Sequence, residues 1–464
     1  MTKRKIFEDT IAAISTPEGE GGIAVIRVSG PDSENIINRI FKQKSDKDGF
    51  ENRKIYYGDI VNPANNSHID SVLITIMREP NSYTGEDTVE IYSHGGHIIP
   101  KKILELITGL DSRVANPGEF TQRAFINGKM DLAQAEAVAD IISAQSEISL
   151  VQAEKQLRGE LSDKINGYKD IILDIYAEVE AQIDFPEEDI DPVVKKEILR
   201  KSNDLLLSIS TLISTFNTGK VIKNGVITTI LGKPNVGKSS LLNAMLKEDR
   251  AIVSHLEGTT RDFIEETINV NGIILKLIDT AGIRVTKDQI ERAGVDIAKR
   301  KAEQSEFIII VLDSNSELDK NDIEVLKKGT KKNHIVIINK TDLKQKLDKN
   351  ILKEYVTDDK IVYTSAKNYA GIEELKDRIY SIVVGNQNIT EGSELYLTDI
   401  RHKNALESAK NHIELLIDTT NNDKSLEIIS MELRSILDDL GEITGEVTTE
   451  DLLGRIFSKF CIGK

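Results

Sequence analysis

The 464-residue chain has few of the features of a secreted, membrane-bound or general nucleic-acid-binding protein. Its only cysteine is Cys461, so an intrachain disulfide and a zinc site built from cysteines are both excluded. No apolar run reaches the roughly 18 residues of a membrane helix, and no apolar segment follows the basic residues 3–5. A net charge of -16 lacks the basic excess of a general nucleic-acid binder. These absences predict a cytoplasmic protein with no membrane partner, in which any RNA contact is local.

The length of the chain predicts about three domains, since one domain usually takes about 100 to 200 residues. Short alternating apolar runs at 22–28 and 88–92 predict an N-terminal α+β domain, bounded at 1–118. Helical spacing predicts one long helix at 131–183 and further helices at 192–215 and from 398 onward. We therefore predict a discontinuous helical domain, 119–218 plus 384–464, interrupted by an α/β domain at 219–383.

The inserted domain contains six apolar runs, at 226–231, 264–270, 273–278, 307–312, 334–338 and 361–364. Most are separated by helix-sized segments, which predicts a parallel sheet with crossover helices. Only Asn271 and Gly272 separate the second and third runs, and this dipeptide favours a two-residue turn between antiparallel strands. Six strands with one antiparallel pair predict a Ras-like fold.

A phosphate-binding loop is predicted at 232–239, Gly-Lys-Pro-Asn-Val-Gly-Lys-Ser, because the segment follows a predicted strand and precedes a predicted helix. Its backbone amides and the helix N-terminus attract phosphates. Lys238 is expected to reach the β and γ oxygens, and Ser239 to bind Mg²⁺. The predicted nucleotide contacts in this region are Asn235, Val236, Gly237, Lys238, Ser239 and Ser240.

Three further segments follow in the order and spacing of a GTPase: Asp279, Thr280, Ala281 and Gly282 after the third strand, Asn339, Lys340 and Asp342 after the fifth, and Ser365, Ala366 and Lys367 after the sixth. The first is expected to contact Mg²⁺ through water and the γ-phosphate. The second places a carboxylate against the two donors of guanine, which adenine lacks. The third supplies a backbone amide for the guanine O6. Together they predict binding of GTP and GDP.

Hydrolysis requires a second Mg²⁺ ligand and a means of orienting water. Thr260, in segment 258–262, is the predicted second ligand and, with Lys238, a predicted catalytic residue. The residue after Gly282 is Ile283, where Ras and Gα proteins have a water-orienting glutamine. Arg284 could act as an internal arginine finger, although a solvated or salt-bridged arginine is the commoner situation.

With these residues placed, the chain resembles the MnmE (TrmE) family of tRNA modification GTPases over its full length. The phosphate loop is shared with several bacterial GTPases, and the insertion into a helical domain is more specific. The most specific segments are 83–87 (Tyr-Thr-Gly-Glu-Asp), 94–97 (His-Gly-Gly-His), 116–125 (Asn-Pro-Gly-Glu-Phe-Thr-Gln-Arg-Ala-Phe), 258–262 (Gly-Thr-Thr-Arg-Asp) and 461–464 (Cys-Ile-Gly-Lys).

The resemblance implies a function that the motifs alone do not reach. Members act with the flavoprotein MnmG (GidA), as a heterotetramer, to install an aminomethyl or carboxymethylaminomethyl group at carbon 5 of the tRNA wobble uridine. The reaction uses GTP hydrolysis and a one-carbon unit from formyl- or methylene-tetrahydrofolate. The family forms homodimers through an N-terminal domain that is similar to folate-binding modules.

The resemblance also implies roles for individual residues. The expected folate-binding residues are Arg27, Glu90, Lys129 and Lys464. Cys461 matches a thiol important for tRNA modification, and Glu291 matches a glutamate proposed to orient the attacking water. The expected ligands of an activating K⁺ are Asn235, Ser254, Leu256 and Thr259, and the last three are also expected to contact the nucleotide.

Two other functions are compatible with the motifs. A ribosome-assembly or RNA-binding regulatory GTPase of the Era-like class would share the phosphate loop, but it would normally carry a basic RNA-binding domain. A folate-dependent one-carbon enzyme could use the inserted domain only as a regulator. Wobble-uridine modification in tRNA from a deletion strain would separate the first function from both alternatives.

Overall fold

A computed structural model describes residues 8–44, 49–184, 192–247, 264–278, 305–385, 394–422 and 424–464. The chain divides into two compact units. The first comprises Met1–Ala139, Gln156–Asp174 and Leu437–Lys464, and the second comprises Asp140–Lys155 and Ile175–Ile436.

A seven-stranded sheet forms the centre of the first unit. Its strands are β1 Ile11–Ile14, β2 Ile23–Ser29, β3 Phe41–Gln43, β4 Ile55–Val61, β5 His68–Met77, β6 Thr88–His94 and β7 Arg113–Val114. They are ordered β3-β4-β5-β6-β2-β1-β7, and all neighbours are antiparallel except β1 and β7. The strands predicted at 22–28 and 88–92 are confirmed as β2 and β6.

One face of this sheet packs against two helices, whereas part of the other face, at β4 and β5, is exposed. The covering helices are α1 Ser33–Ile40 and α2 Ile99–Thr108. Their apolar residues pack with Ile26 and Ile91 in the main core of the unit. On the opposite face, Ile55, Tyr57 and Leu73 are 61%, 52% and 42% exposed. An apolar, exposed sheet face of this kind is typical of a protein contact.

A second cluster in the first unit joins the end of the chain to helices that follow the sheet. Three helices contribute residues to this cluster: α3 Glu119–Ile126, α4 Leu132–Ser143 and α15 Glu450–Phe457. Leu132 and Ala135 of α4 pack with Phe457 and Phe460. The last residues of the chain are held by α3, since the Phe120 amide donates to the Lys464 carbonyl at 3.2 Å.

The prediction of one long helix at 131–183 is wrong. The structure has α4, α5 Glu147–Leu157 and α6 Glu160–Asp184 in its place. At the first break, the amides of Ser146 and Ser149 each donate to the other's hydroxyl at 3.2 Å, which favours a new helix start. At the second break, Gly159 has a φ of 94°, a conformation that ends a helix.

The second unit contains the predicted six-stranded sheet. Its strands are β8 Val226–Leu231, β9 Ile264–Val270, β10 Ile273–Ile278, β11 Phe307–Asp313, β12 Asn333–Asn339 and β13 Ile361–Tyr363. Their order is β13-β12-β11-β8-β10-β9, and only β9 and β10 are antiparallel neighbours. The predicted hairpin turn is also confirmed, since Asn271 and Gly272 have φ values of 50° and 87°.

Helices cover both faces of this sheet, so its central strands are almost entirely apolar. The helices are α9 Lys238–Leu246, α10 Lys320–Gly329, α11 Lys349–Lys353 and α12 Ile372–Val384. On one face, Leu241 of α9 and Leu375 of α12 pack against Ile309. On the other, Leu326 of α10 packs against Ile310. Adjacent residues of β11 thus face opposite cores.

The remaining helices of the second unit are α7 Pro192–Ser214, α8 Phe216–Asn224, α13 Ile400–Asn421 and α14 Leu426–Thr444, the last of which crosses into the first unit. Helices α7 and α13 pack along each other. Within the described residues, one stretch, Val194–Asn224, is long and apolar enough to cross a membrane by length and composition alone. Core helices also pass this test, and this stretch consists of α7 and α8 with a break at Thr215.

Candidate nucleotide site

The predicted phosphate loop lies between β8 and α9 and depends on two glycines. Gly232 and Gly237 have φ values of 151° and 99°. A Cβ at Gly232 would lie 2.4 Å from the Val311 carbonyl oxygen, and one at Gly237 would lie 2.3 Å from the side-chain nitrogen of Asn339. Both positions therefore require glycine. The resulting tight turn leads directly into α9, whose N-terminus attracts anions.

The Lys238 ammonium lies against the loop itself. It donates to the carbonyl oxygens of Gly232 at 2.7 Å and Lys233 at 2.8 Å. Burial lowers the pKa of Lys238, because the charged form loses hydration. Phosphate oxygens would restore favourable partners to this ammonium, which is the role predicted for it.

The guanine-recognition segment also supports the phosphate loop. The Lys340 ammonium donates to the Asn235 carbonyl and to Asp313, both at 2.6 Å. The Asn339 side-chain amide donates to the Val236 carbonyl at 3.0 Å. The ends of β11 and β12 therefore fix the curvature of the loop after β8. Asp313 was not predicted, although its position at the end of a buried strand could have indicated it.

On the base side, Asp342 and Ser365 form one unit. The Ser365 hydroxyl donates to the Asp342 carboxylate at 2.6 Å, and this bond holds the pKa of Asp342 below its usual range. Asp342 itself is exposed, so its second oxygen can receive a ligand. The Ala366 amide donates to the Asn339 side chain at 3.1 Å, which joins the two predicted base-binding segments. Lys367 is exposed beside them.

The predicted metal ligands are only partly described. Ser239 is in the first turn of α9, next to Lys238, which suits a hydroxyl that binds a hard cation beside phosphates. Asn235 is exposed and has a φ of 66°. The predicted site residues that lie outside the described residues are Ser254, Leu256, Thr259, Thr260, Asp279, Thr280, Ala281, Gly282, Glu291 and, with them, Ile283 and Arg284. Val236 is buried in the core, and Ser240 is exposed.

In the first unit, Arg27 and Glu90 are opposite each other on β2 and β6. The Arg27 Nε and Nη2 atoms donate to one Glu90 oxygen at 3.0 and 2.8 Å. The Tyr92 hydroxyl donates to the other at 2.7 Å, and burial together with this bond raises the pKa of Tyr92 to about 12. The Arg27 guanidinium also lies 5.3 Å from the Tyr83 ring centroid and 5.6 Å from that of Phe120.

The other two predicted folate-binding residues, Lys129 and Lys464, have hydrogen bonds of their own. The Lys129 ammonium donates to the Pro80 carbonyl at 2.8 Å. The Lys464 carbonyl accepts from the amide of Phe120, whose ring contacts Arg27. Cys461 is exposed, and its carbonyl is 3.5 Å from the Gly118 amide.

Sequence motifs did not identify the aromatic residues around Arg27 as part of this cluster. Tyr83, Phe120 and Tyr92 each contact Arg27 or Glu90. Tyr83 and Phe120 lie in segments 83–87 and 116–125, which carried the family resemblance. Their position in these two segments was the sequence signal that could have indicated a role in the site.

Comparisons with known proteins cover nearly the whole chain. The MnmE helical domain family matches residues 132–461, and the family described as GTP-binding protein TrmE N-terminus matches 10–129. The tRNA modification GTPase MnmE of Thermoanaerobacter pseudethanolicus is 46% identical over 458 residues, 98% of this chain and 99% of the relative. The MnmE of Clostridioides difficile is 46% identical over 461 residues, 99% of this chain and 100% of the relative.

A solved structure of Era from Aquifex aeolicus matches part of the chain. It is 28% identical and covers 41% of this chain and 67% of its own, with a TM-score of 0.26, which is too low to support an argument. The family assignment depends instead on the full-length relatives and on the matched family domains. The phosphate loop and the Asp342–Ser365 pair give that assignment a physical basis. The chain belongs to the MnmE family of tRNA modification GTPases and is a GTP hydrolase with an N-terminal α+β domain, a helical domain and an inserted Ras-like domain.

Proposed function

We propose that this GTPase acts with the flavoprotein MnmG to add an aminomethyl or carboxymethylaminomethyl group to carbon 5 of the tRNA wobble uridine. The one-carbon unit comes from formyl- or methylene-tetrahydrofolate. The observation that carries the proposal is the Arg27–Glu90 pair, bordered by two aromatic rings, in the N-terminal unit. A GTPase that acted only as a switch would not need this arrangement.

The chemistry of this cluster suits a folate. The amine and amide edge of a pterin pairs with a carboxylate such as Glu90, while the aromatic rings of Tyr83 and Phe120 suit its flat face. The carboxylates of the glutamate tail require cations, which Lys129 and Lys464 can supply. Arg27 is fixed by its two bonds to Glu90, so the pair is already oriented for a ligand.

In the nucleotide site, Ser239 and Thr260 would hold Mg²⁺. Mg²⁺ neutralises charge on the phosphate oxygens when it is bound. Lys238 binds the β and γ oxygens, and Glu291 orients the attacking water in place of the missing glutamine. K⁺ would be held by Asn235, Ser254, Leu256 and Thr259. The exposure of Asn235 and the fixation of its carbonyl by Lys340 support this assignment, because the side chain is left to bind a cation.

The proposed assembly is a homodimer that binds MnmG as a heterotetramer in the cytoplasm and acts on tRNA. The exposed sheet face with Ile55, Tyr57 and Leu73 supports pairing of the N-terminal domains, since a partner would remove this apolar surface from water. The proposed domain limits remain 1–118, 119–218 plus 384–464, and 219–383.

Reconstitution tests the proposal directly. The chain, flavin-loaded MnmG, tRNA, GTP, methylene-tetrahydrofolate and an amine donor, ammonium or glycine, are combined, and the nucleosides of the digested tRNA are analysed by mass spectrometry. Modified wobble uridine is expected only in the complete mixture. Glu90→Gln should abolish the product while GTP hydrolysis continues. A complete mixture that hydrolyses GTP but leaves the uridine unmodified would contradict the proposal.

A further inference from the structure

The side chain of Lys233, inside the phosphate loop, is bound to two carboxylates at the start of α10. Its ammonium lies 2.8 Å from Asp319 and 2.6 Å from Asp322. The Lys233 side chain is 24% exposed, and that of Asp322 is only 3% exposed. This is therefore a partly buried ion pair, and not a pair of mobile surface charges.

The two carboxylates are held in place by the backbone of α10. Asp319 is the N-cap of the helix and accepts from the amides of Asn321 and Asp322 at 2.9 and 3.0 Å. The Asp322 side chain accepts in return from the Asp319 amide at 3.2 Å. This capping box brings two negative charges together without any help from Lys233. Lys233 balances their charge by binding the second oxygen of Asp319 and the same Asp322 oxygen that accepts from the Asp319 amide. The other Asp322 oxygen is buried and has no hydrogen-bond partner within the described residues.

Lys233 is thereby anchored at a critical point of the loop. Its carbonyl is one of the two acceptors of the Lys238 ammonium. Two residues later, the Asn235 carbonyl is held by Lys340, which is paired with Asp313. Segment 233–235 is thus fixed at both ends. At one end, Lys233 is paired with the two aspartates at the start of α10. At the other end, Lys340 holds the Asn235 carbonyl and is paired with Asp313 at the end of β11.

We infer that Lys233 is a positioning residue for the phosphate end of the nucleotide. Its ion pair with Asp319 and Asp322 keeps the loop in the shape that receives phosphates. Nucleotide binding therefore does not lose free energy in ordering the loop. The side chain acts through the loop backbone. Loss of one partly buried, charge-assisted contact should weaken GDP binding on the order of fivefold. The inference depends on GTP and GDP binding alone, and it would stand even if the folate chemistry proposed above failed.

The first test is the dissociation constant of a fluorescent GDP for the full-length protein and three variants. Lys233→Met should weaken binding about fivefold, and Lys233→Arg, which keeps the charge, should recover most of the loss. Lys328→Met is the matched control, because it removes an exposed ion pair with Glu324 on the same helix. The control should bind GDP as the parent does. Circular dichroism at the assay temperature should show that all four proteins are folded.

The second test is a readout that a general loss of structure would not reproduce. In an Asp319→Asn/Asp322→Asn background, which keeps the cap acceptors, Lys233→Met should change GDP affinity less than twofold. The preference for GDP over IDP should be the same in every variant, since Asp342 reads the base. Equal GDP binding by Lys233→Met and the parent would overturn the inference. An undiminished Lys233→Met effect in the Asn background, or an equal loss in Lys328→Met, would overturn it too.

Discussion

The side chain of Gln152 holds the segment by which the chain leaves the six-stranded sheet. Its Nε2 atom donates to the Glu394 carbonyl at 3.0 Å, and its Oε1 atom accepts from the Tyr396 amide at 3.1 Å. Gln152 is only 5% exposed, although 242 and 244 residues separate it from its partners. The Leu397 amide continues the contact by donating to the Thr215 hydroxyl at 3.0 Å. Gln152 of α5 and Thr215, the residue before α8, thus both bind segment 394–397.

Gln152→Ala should destabilise the second unit. The buried Tyr396 amide would lose its partner, which costs about 1 to 3 kcal/mol of unfolding free energy, while the carbonyl of the exposed Glu394 keeps its bond from Lys155. Lys155→Met is the matched control, since the Lys155 ammonium donates to the same Glu394 carbonyl from an exposed position. Its effect should be about 0.5 kcal/mol or less. Urea unfolding followed by circular dichroism measures both, and equal effects would show that burial of Gln152 is not the cause.

Asp342→Asn should weaken GTP binding and allow xanthosine triphosphate to bind. The carboxylate pairs with two guanine donors, whereas an amide suits the altered edge of xanthine. The Ser365 hydroxyl would still hold the new side chain, because it can donate to an amide oxygen. Competition between the two triphosphates measures the change. Unchanged base selectivity would remove Asp342 from base recognition.

Ser365→Ala is the companion variant for that experiment. It removes the hydroxyl that orients Asp342 but leaves the negative charge. GTP affinity should fall by less than in Asp342→Asn, and xanthosine triphosphate should remain excluded. Acceptance of xanthosine triphosphate by this variant would mean that orientation, rather than charge, determines the choice of base.

Hydrolysis of GTP should be faster in K⁺ than in Na⁺ at equal ionic strength, because the smaller Na⁺ would leave the ligand oxygens too far away. Asn235→Ala should remove this difference, while Lys238 and the loop amides still bind nucleotide. Asn235 has a φ of 66°, a conformation that alanine adopts only with strain. Asn235→Gly is therefore the decisive variant, because it removes the side chain without that strain. Equal rates in the two salts for the parent protein would refute the cation assignment and return attention to Arg284.

Local patterns predicted much of this molecule. The central strand β11 of the second sheet is an apolar run that is buried almost throughout, and the hairpin between β9 and β10 follows from the conformations that Asn271 and Gly272 adopt. The helix break near Ser146 was missed because helical composition continues through it, while the break depends on two serine hydroxyls. Contacts between distant residues, such as Gln152 with Tyr396, leave no local pattern to read.

The same distinction applies to the nucleotide site. The roles of Lys238 and Asp342 follow from motifs, since phosphate and guanine impose fixed chemistry at fixed spacing. The pairing of Lys233 with Asp322 depends instead on where α10 begins, and nothing in the loop sequence indicates that. Support for a site is therefore harder to predict than the site itself.

The C-terminal residues provide the last prediction. Cys461→Ser, or removal of residues 461–464, should leave GTP hydrolysis nearly intact while tRNA modification fails. The tail belongs to the first unit and the phosphate loop to the second. Removal would take away the carbonyl that accepts from the Phe120 amide, and the ring of Phe120 contacts Arg27 in the proposed folate site.

Two variants separate the chemistry of the thiol from the structure of the tail. Cys461→Ser keeps the backbone contacts, so loss of modification with normal folate binding would indicate that the thiol takes part in the reaction. Truncation should also weaken folate binding, because Lys464 is removed. Gly463 has a φ of 97°, and a Cβ there would lie 2.5 Å from the Ile14 carbonyl, so Gly463→Ala should resemble truncation. Lys459→Ala, an exposed change just before the tail, serves as the control and should retain both activities. A parallel fall in GTP hydrolysis and modification would show that the tail supports folding instead.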